Sequence, residues 1–476
     1  MTKGITVSRD DDMAEWYGQV VTKSELADYS AVKGCMIIRP RGYAIWQTIQ
    51  DYFNVRLKKL GVMNAYFPLL IPESFFKKEA EHAEGFAPEL AWITRKDDES
   101  SERLALRPTS ETIMYDSYSR WIRSWRDLPL LINQWCNVFR WEVSDVKLFL
   151  RSREFLWQEG HCVFETKEEC DTHTLNILDE YARLAEELLA IPVIKGRKTE
   201  KERFAGALYT TTIESFMPDG KALQLGTSHN LGQSFAEAFG ISYVGKDEKK
   251  HTPWQNSWGF STRLIGAIIM LHSDDQGLVL PPRIAPMKGV IVPIYKSSNR
   301  DEIFKEVEKI ADRLRPYDLH IDDREEYSPG WKYNEWELKG VPIRIEFGPK
   351  DLEKGHCVFV ARDTKEKKFV KLTEIESAFP VMLHDIQQRL FAKAKTHLEE
   401  SIVEVDNWDD FVKYAKGGKM VFAPFDGTVE TEEQIKTLTG GVTSRCVPID
   451  QESVEGLTCV KSGKAATCKA YFSRNY

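Results

Sequence analysis

The chain has 476 residues, 42% apolar and 29% charged, with a net charge of -8. That length allows about two to four domains with full hydrophobic cores, and the composition fits a soluble globular protein. The acidic balance excludes a protein that coats nucleic acid through bulk positive charge, while leaving a local basic surface open. The first residues, MTKGITVSRDDDMAEWY, are polar and acidic and carry no targeting pattern. The 8 cysteines are scattered, as expected for free thiols in a reducing, cytoplasmic compartment. The aliphatic run Leu264 to Leu271 is far too short to cross a bilayer.

Up to about Ser30 the pattern predicts one amphipathic helix with a lead-in. Tyr43 to Leu60 places Ile45, Ile49, Phe53, Leu57 and Leu60 at helical spacing, and Gly61 ends the run. Val62 to Ile71 is expected as a strand stopping at Pro72. Leu104 to Glu111, LALRPTSE, predicts a short strand turning into a helix that continues through Trp121. Thr109 or Ser110 would cap that helix, and a helix start also gathers backbone N–H groups suited to an anionic ligand.

The apolar run Leu128 to Val138 ends in Phe139-Arg140-Trp141-Glu142, and a charged loop returns through Phe155-Leu156-Trp157-Gln158-Glu159-Gly160-His161. The shape is strand, long loop, strand. Side chains two apart share a face, so Arg140 and Glu142 are expected on one face, as are Trp157, Glu159 and His161. Such a cluster is costly to bury without a ligand, and the competing interpretation is an internal ion-pair network.

Glu168 to Leu189 has helical periodicity, Ile191 to Ile194 predicts a short strand, and Lys198 to Leu208 suits a mobile loop. Tyr209 to Phe216 and Lys221 to Gly226 flank the turn Pro218-Asp219-Gly220 as two strands. Thr227-Ser228-His229-Asn230 follows, then a helix to Phe239. A strand brings Ser261, Thr262 and Arg263 to an all-apolar helix, where a lone arginine needs an anion or a stacking partner. Pro281, Pro282 and Pro286 mark a linker. Beyond it, strands at Val290, Leu319, Val341 and Cys357 alternate with helical segments as in a small α/β domain, and a long polar helix near Asp385 leads to a last module.

In this set and order the blocks GYAIWQTIQDYF…YFPLLIP, FRWE…FLRSREFLWQEGH and WGFSTRLIG match the three class II motifs. With RPTSE, FAGALYTTTIE and LGTSHNLGQSF, the chain resembles the archaeal/eukaryotic-like prolyl-tRNA synthetases over nearly its whole length. The resemblance implies an α/β fold with an antiparallel-sheet catalytic domain over residues 1–285, a smaller α/β anticodon-binding domain over 286–384 and a C-terminal α+β module over 385–476. It implies a homodimer built through the first motif that uses ATP and Mg²⁺ to activate L-proline and passes the prolyl group to tRNA(Pro), with no membrane partner. The alternatives are a paralogue with another amino-acid choice, or an idle RNA-binding or regulatory protein on the same scaffold.

The resemblance also implies roles. Arg140 and Arg263 would be catalytic, Arg140 bridging the proline carboxylate and the α-phosphate. Thr109 and Glu111 would hold the imino nitrogen, and Trp157, Glu159, His161, Phe204 and His229 would shape the proline pocket. Arg263 would lie against adenine with Phe155 on its other face; Glu142, Arg151, Ser152, Gln224, Thr227 and Ser261 complete the ATP side, with Gln224 beside Mg²⁺. Lys332, Glu337, Arg344 and Lys350 are the anticodon candidates. Between the second and third motifs there is no room for the editing insertion of bacterial-type enzymes. Relatives carry two short-spaced cysteine pairs for zinc near the C-terminus; here those positions are Asp426, Thr431, Cys459 and Ser462, so no zinc is expected.

Overall fold

The computed structural model describes residues 4–80, 89–93 and 102–476. One 11-stranded sheet carries strands from the first 261 residues together with those of the C-terminal module. From one edge it runs Ile402–Glu404, Met420–Phe425, Cys468–Asn475, Thr443–Pro448, Ile194–Arg197, Tyr209–Phe216, Lys221–Gly232, Trp254–Ser261, Glu154–Phe164, Leu130–Phe139 and Met63–Asn64. The pairing is antiparallel from Tyr209–Phe216 through Leu130–Phe139.

The register explains why functional side chains gather. His161 lies opposite Ser257, Ser257 opposite His229, and His229 opposite Thr210. One turn of the pleat away, Glu159, Gly259 and Thr227 form a second row. Residues in such rows share a face, so four strands present one polar floor. The opposite face is aromatic and aliphatic. Phe260 stands edge-on to Trp46, Phe53 and Trp135 at ring distances of 6.1, 5.2 and 5.9 Å, beneath the helices Pro40–Lys59, Lys167–Arg183 and Arg263–His272. The last of these is buried from Leu264 to His272, which its unbroken apolar text requires. A Cβ on Gly160 would stand 2.1 Å from the Trp258 ring, so only glycine lets that indole cross the neighbouring strand.

Several local expectations change. The stretch 62–71 is two short strands, Met63–Asn64 in the main sheet and Leu70–Pro72 in a separate three-stranded sheet, because Pro68 cannot continue a ladder. For the same reason the strand expected from Ile191 begins at Ile194, after Pro192. The first strand of the hairpin ends at Phe139, leaving Arg140 and Glu142 in the connection. The strand from Lys221 runs on to Gly232 and takes in Thr227 to Asn230.

Beyond the prolines, Gly289–Pro293, Leu319–Ile321, Ile343–Phe347, His356–Ala361 and Lys367–Lys371 form a five-stranded mixed sheet with helices Arg300–Arg313 and Pro329–Leu338. The helix Ile375–Ser401 is continuous for 27 residues and passes straight through position 385. No helix among the described residues is long and apolar enough to cross a membrane.

Candidate active site

The polar floor opens into a cavity of about 310 Å³. Thr109, Glu111, Arg140, Glu142, Trp157, Glu159, His161, Phe204, Gln224, Thr227 and His229 all line it. So do Pro108, Lys198, Glu202, Thr210, Ser257, Trp258 and Gly259, which the sequence did not single out. Ser257 and Gly259 could have been found from strand alternation; Lys198 and Glu202 carry no local signal.

One cluster on the wall is anionic. The Thr109 hydroxyl donates to Glu111 and, at 3.2 Å, to Glu159 Oε2. Ser110 begins the helix Glu111–Trp121 without a side-chain cap, so Thr109 and Ser110 serve the carboxylates instead: the Ser110 N–H donates to Glu159 at 3.1 Å. His161 Nε2 lies 3.0 Å from the same carboxylate. Burial alone would raise the Glu159 carboxyl, but His161 and Ser110 overcome it and hold the group well below the usual carboxylate range. Burial would lower His161, and Glu111 and Glu159 reverse that and raise it. Ligand atoms of Glu111, Glu159 and His161 lie within 4.8 Å of one another, two carboxylates against one imidazole, a cluster suited to receive an ammonium. His229 sits between the hydroxyls of Thr210 and Thr227 at 2.9 and 3.0 Å, and burial pushes it down to about 3, so it is neutral.

A cationic group shares the wall: the Arg140 Nε donates to the Pro108 carbonyl at 3.4 Å. The Arg140 guanidinium lies 5.5 Å from the Phe155 ring and 5.4 Å from the Trp157 ring. Arg263 stands outside the lining. Its Nε donates to the Leu150 carbonyl at 3.2 Å and its Nη1 to the Gln224 carbonyl at 3.3 Å. Burial, then repulsion from Arg140, pushes Arg263 down to about 10, so it still carries its charge at neutral pH. Two partly buried guanidinium groups that repel each other make a site for an anion.

Phe155, Arg151 and Ser261 also stand outside the lining. Ser152 faces a different cavity, with Cys35 and Asp145, and its buried hydroxyl has no hydrogen-bond partner among the described residues. In the α/β domain, Arg344 pairs with Glu337 and Glu346 at 2.6 and 2.9 Å and lies 4.2 Å from the Tyr333 ring, while Lys350 is exposed. Lys332 is 2% exposed and donates to the Asp322 carbonyl at 2.9 Å, because its helix turns that face inward.

In the C-terminal module, Ser462 and Thr431 donate to Asp426 Oδ2 at 2.6 and 2.8 Å. One carboxylate and two hydroxyls already satisfied by one another, with the thiol of Cys459, do not fit zinc, which takes thiolate and imidazole in closed structural sites.

Models of three families match in chain order: the tRNA synthetase class II core domain (G, H, P, S and T) over residues 92–272, the anticodon binding domain over 288–381, and the prolyl-tRNA synthetase C-terminal domain over 408–476. The fold is that of a class II tRNA synthetase. The chain is 51% identical over 469 residues to the proline–tRNA ligase of Alkaliphilus oremlandii, covering 98% of this chain and 96% of the relative. It is 48% identical to that of Natranaerobius thermophilus, covering 98% and 97%. The crystal structure of prolyl-tRNA synthetase from Cryptosporidium parvum, complexed with halofuginone and AMPPNP, superposes with a TM-score of 0.95 at 43% identity over 100% of this chain and 98% of that one. The chain belongs to the proline–tRNA ligase family.

Proposed function

We propose that the chain activates L-proline with ATP and transfers it to tRNA(Pro). The observation that carries this reading is one cavity wall that holds both a cationic group, Arg140, backed by Arg263, and the buried cluster Glu111, Glu159 and His161. A zwitterionic amino acid spans such a site in one orientation. Its secondary ammonium meets Thr109, Glu111 and Glu159, and its ring lies among Trp157, His161, Phe204 and His229. Its carboxylate is thereby delivered to Arg140.

A carboxylate oxygen then attacks the α-phosphorus of ATP and pyrophosphate leaves, giving prolyl-adenylate. A ribose hydroxyl of the tRNA attacks the acyl carbon and AMP leaves. Both steps depend on placement and on stabilising developing negative charge, which a planar guanidinium provides to two oxyanions at once. Arg140 and Arg263 fill that role, Phe155 and Arg263 flank adenine, and Glu142, Arg151, Gln224, Thr227 and Ser261 face the nucleotide. Mg²⁺ would neutralise phosphate charge when bound; the Gln224 amide oxygen and the Glu142 carboxylate are hard donors on the cavity wall that fit it.

Glu337, Arg344 and Lys350 are the proposed anticodon contacts, with Arg344 already oriented by two carboxylates. A homodimer is proposed through the first motif. Within that motif Tyr66, Met63 and Val55 are 71%, 62% and 57% exposed. The proposed location is the cytoplasm. Pyrophosphate exchange with each standard amino acid tests the reading: proline should support it best. Exchange that favours another amino acid, or none with any, would overturn it.

A further inference from the structure

The loop between strands Ile194–Arg197 and Tyr209–Phe216 carries Lys198, Glu202 and Phe204 to the cavity wall. Such a segment holds one position only if its root is tied. The ties come from the C-terminal module. The Thr199 hydroxyl donates to Glu432 Oε2 at 2.8 Å and lies 2.9 Å from the Ser444 hydroxyl. Ser444 in turn donates to Glu432 Oε1 at 2.6 Å, so both carboxylate oxygens are engaged in a buried triad. Beside it the Lys198 ammonium donates to Glu214 at 2.7 Å and to the Arg445 carbonyl at 2.9 Å.

The backbone is fastened as well. Val447 and Pro448 lie opposite Arg197 and Gly196, and a Cβ on Gly196 would come within 2.6 Å of the Cys446 Cβ. The two modules therefore meet directly at the loop's first residue. At the loop's far end the Phe204 N–H donates to Thr210 Oγ1 at 3.0 Å, and the Phe204 ring lies 4.7 Å from the His229 ring. A buried carboxylate in the last module is thus connected through Thr199 to the side chains over the anionic cluster of the cavity.

We propose that Glu432, with Ser444, is a positioning residue for amino-acid binding: from the C-terminal module it fixes Thr199, and through it the loop that places Phe204 over the amino acid. This rests on the assignment of that cluster of the cavity to proline. The module then controls affinity for the amino acid while leaving the ATP side alone.

The test is steady-state pyrophosphate exchange by the full-length protein at varied proline and varied ATP, with thermal midpoints recorded in parallel. Glu432→Ala should raise the KM for proline on the order of tenfold, the scale of a lost hydrogen bond to a buried charge, with the KM for ATP unchanged. Glu432→Gln, which can still accept and donate, should restore most of that. Thr199→Val should reproduce the effect, and the double variant T199V/E432A should be no worse than either single one, because both break the same link. Glu430→Gln, at an exposed position on the helix Val429–Thr439 that also carries Glu432, should change neither KM.

A proline KM unaltered in Glu432→Ala, whether or not the thermal midpoint drops, would overturn the proposal. So would equal rises for proline and ATP, which mark general loosening. Should Glu432→Ala fail to fold, Thr199→Val decides alone on the same readout. Wild-type protein without proline-dependent exchange would defeat the functional reading itself; normal wild-type exchange with unaltered variants would defeat only this inference.

Discussion

Glu159 and His161 are buried together, and each keeps the other charged: the carboxylate raises the imidazole, the imidazole lowers the carboxyl. The histidines away from the carboxylates behave oppositely. Burial pushes His173 and His272 down to about 4 and His229 to about 3. In an unfolded chain each would titrate near ~6.5. Above that value their contribution to stability is complete. As pH falls from about 6.5 toward 4, the unfolded state takes up protons that the folded state refuses, and stability is lost. His161 works the other way, contributing below about 6.5 and losing its contribution as pH rises through its elevated value. The thermal midpoint should therefore fall between pH 6.5 and 4. In His272→Gln, which can still donate to the Leu189 carbonyl that now accepts from Nε2 at 2.9 Å, the fall should be shallower. An identical pH profile in the variant would contradict this assignment.

At the scale of elements, the hairpin was legible because alternation along a strand is a local property: Trp157, Glu159 and His161 do share the cavity face. In two places where the sequence misled, a single residue explains it. Pro68 and Pro192 each cut a run that hydrophobicity alone would extend. Lys198 and Glu202 stayed hidden because their importance comes from where their loop is tied, to residues over 200 positions later, as with the 233-residue separation of Thr199 and Glu432. Cross-strand packing gives a direct check. Gly160→Ala would set a methyl 2.1 Å from the Trp258 ring and should destabilise the protein by about 1–3 kcal/mol, read as a lower thermal midpoint. An unchanged midpoint would mean that the indole lies elsewhere.

On the scale of the whole molecule, one sheet unites the catalytic and C-terminal parts, and the chain end joins it: Arg474 and Asn475 pair with Lys221 and Ala222. No local pattern could reveal that continuity. With Asp426, Thr431 and Ser462 bonded to one another, metal analysis of the purified protein should find zinc far below one per chain, and chelation should leave the thermal midpoint unchanged; stoichiometric zinc would refute this. A pocket that selects by shape discriminates only roughly 10–200-fold per methylene, so alanine should be activated slowly, and alanyl-tRNA(Pro) should survive incubation with the enzyme. Rapid deacylation would show an editing activity this account does not contain. The most direct measurement is a single-turnover assay with enzyme, ATP and proline in the absence of tRNA. Wild-type protein should accumulate prolyl-adenylate, and Arg140→Ala should form it slower by on the order of a hundred-fold, the scale of a lost transition-state donor. Adenylate formation by Arg140→Ala at the wild-type rate would contradict the placement of that guanidinium at the reacting centre.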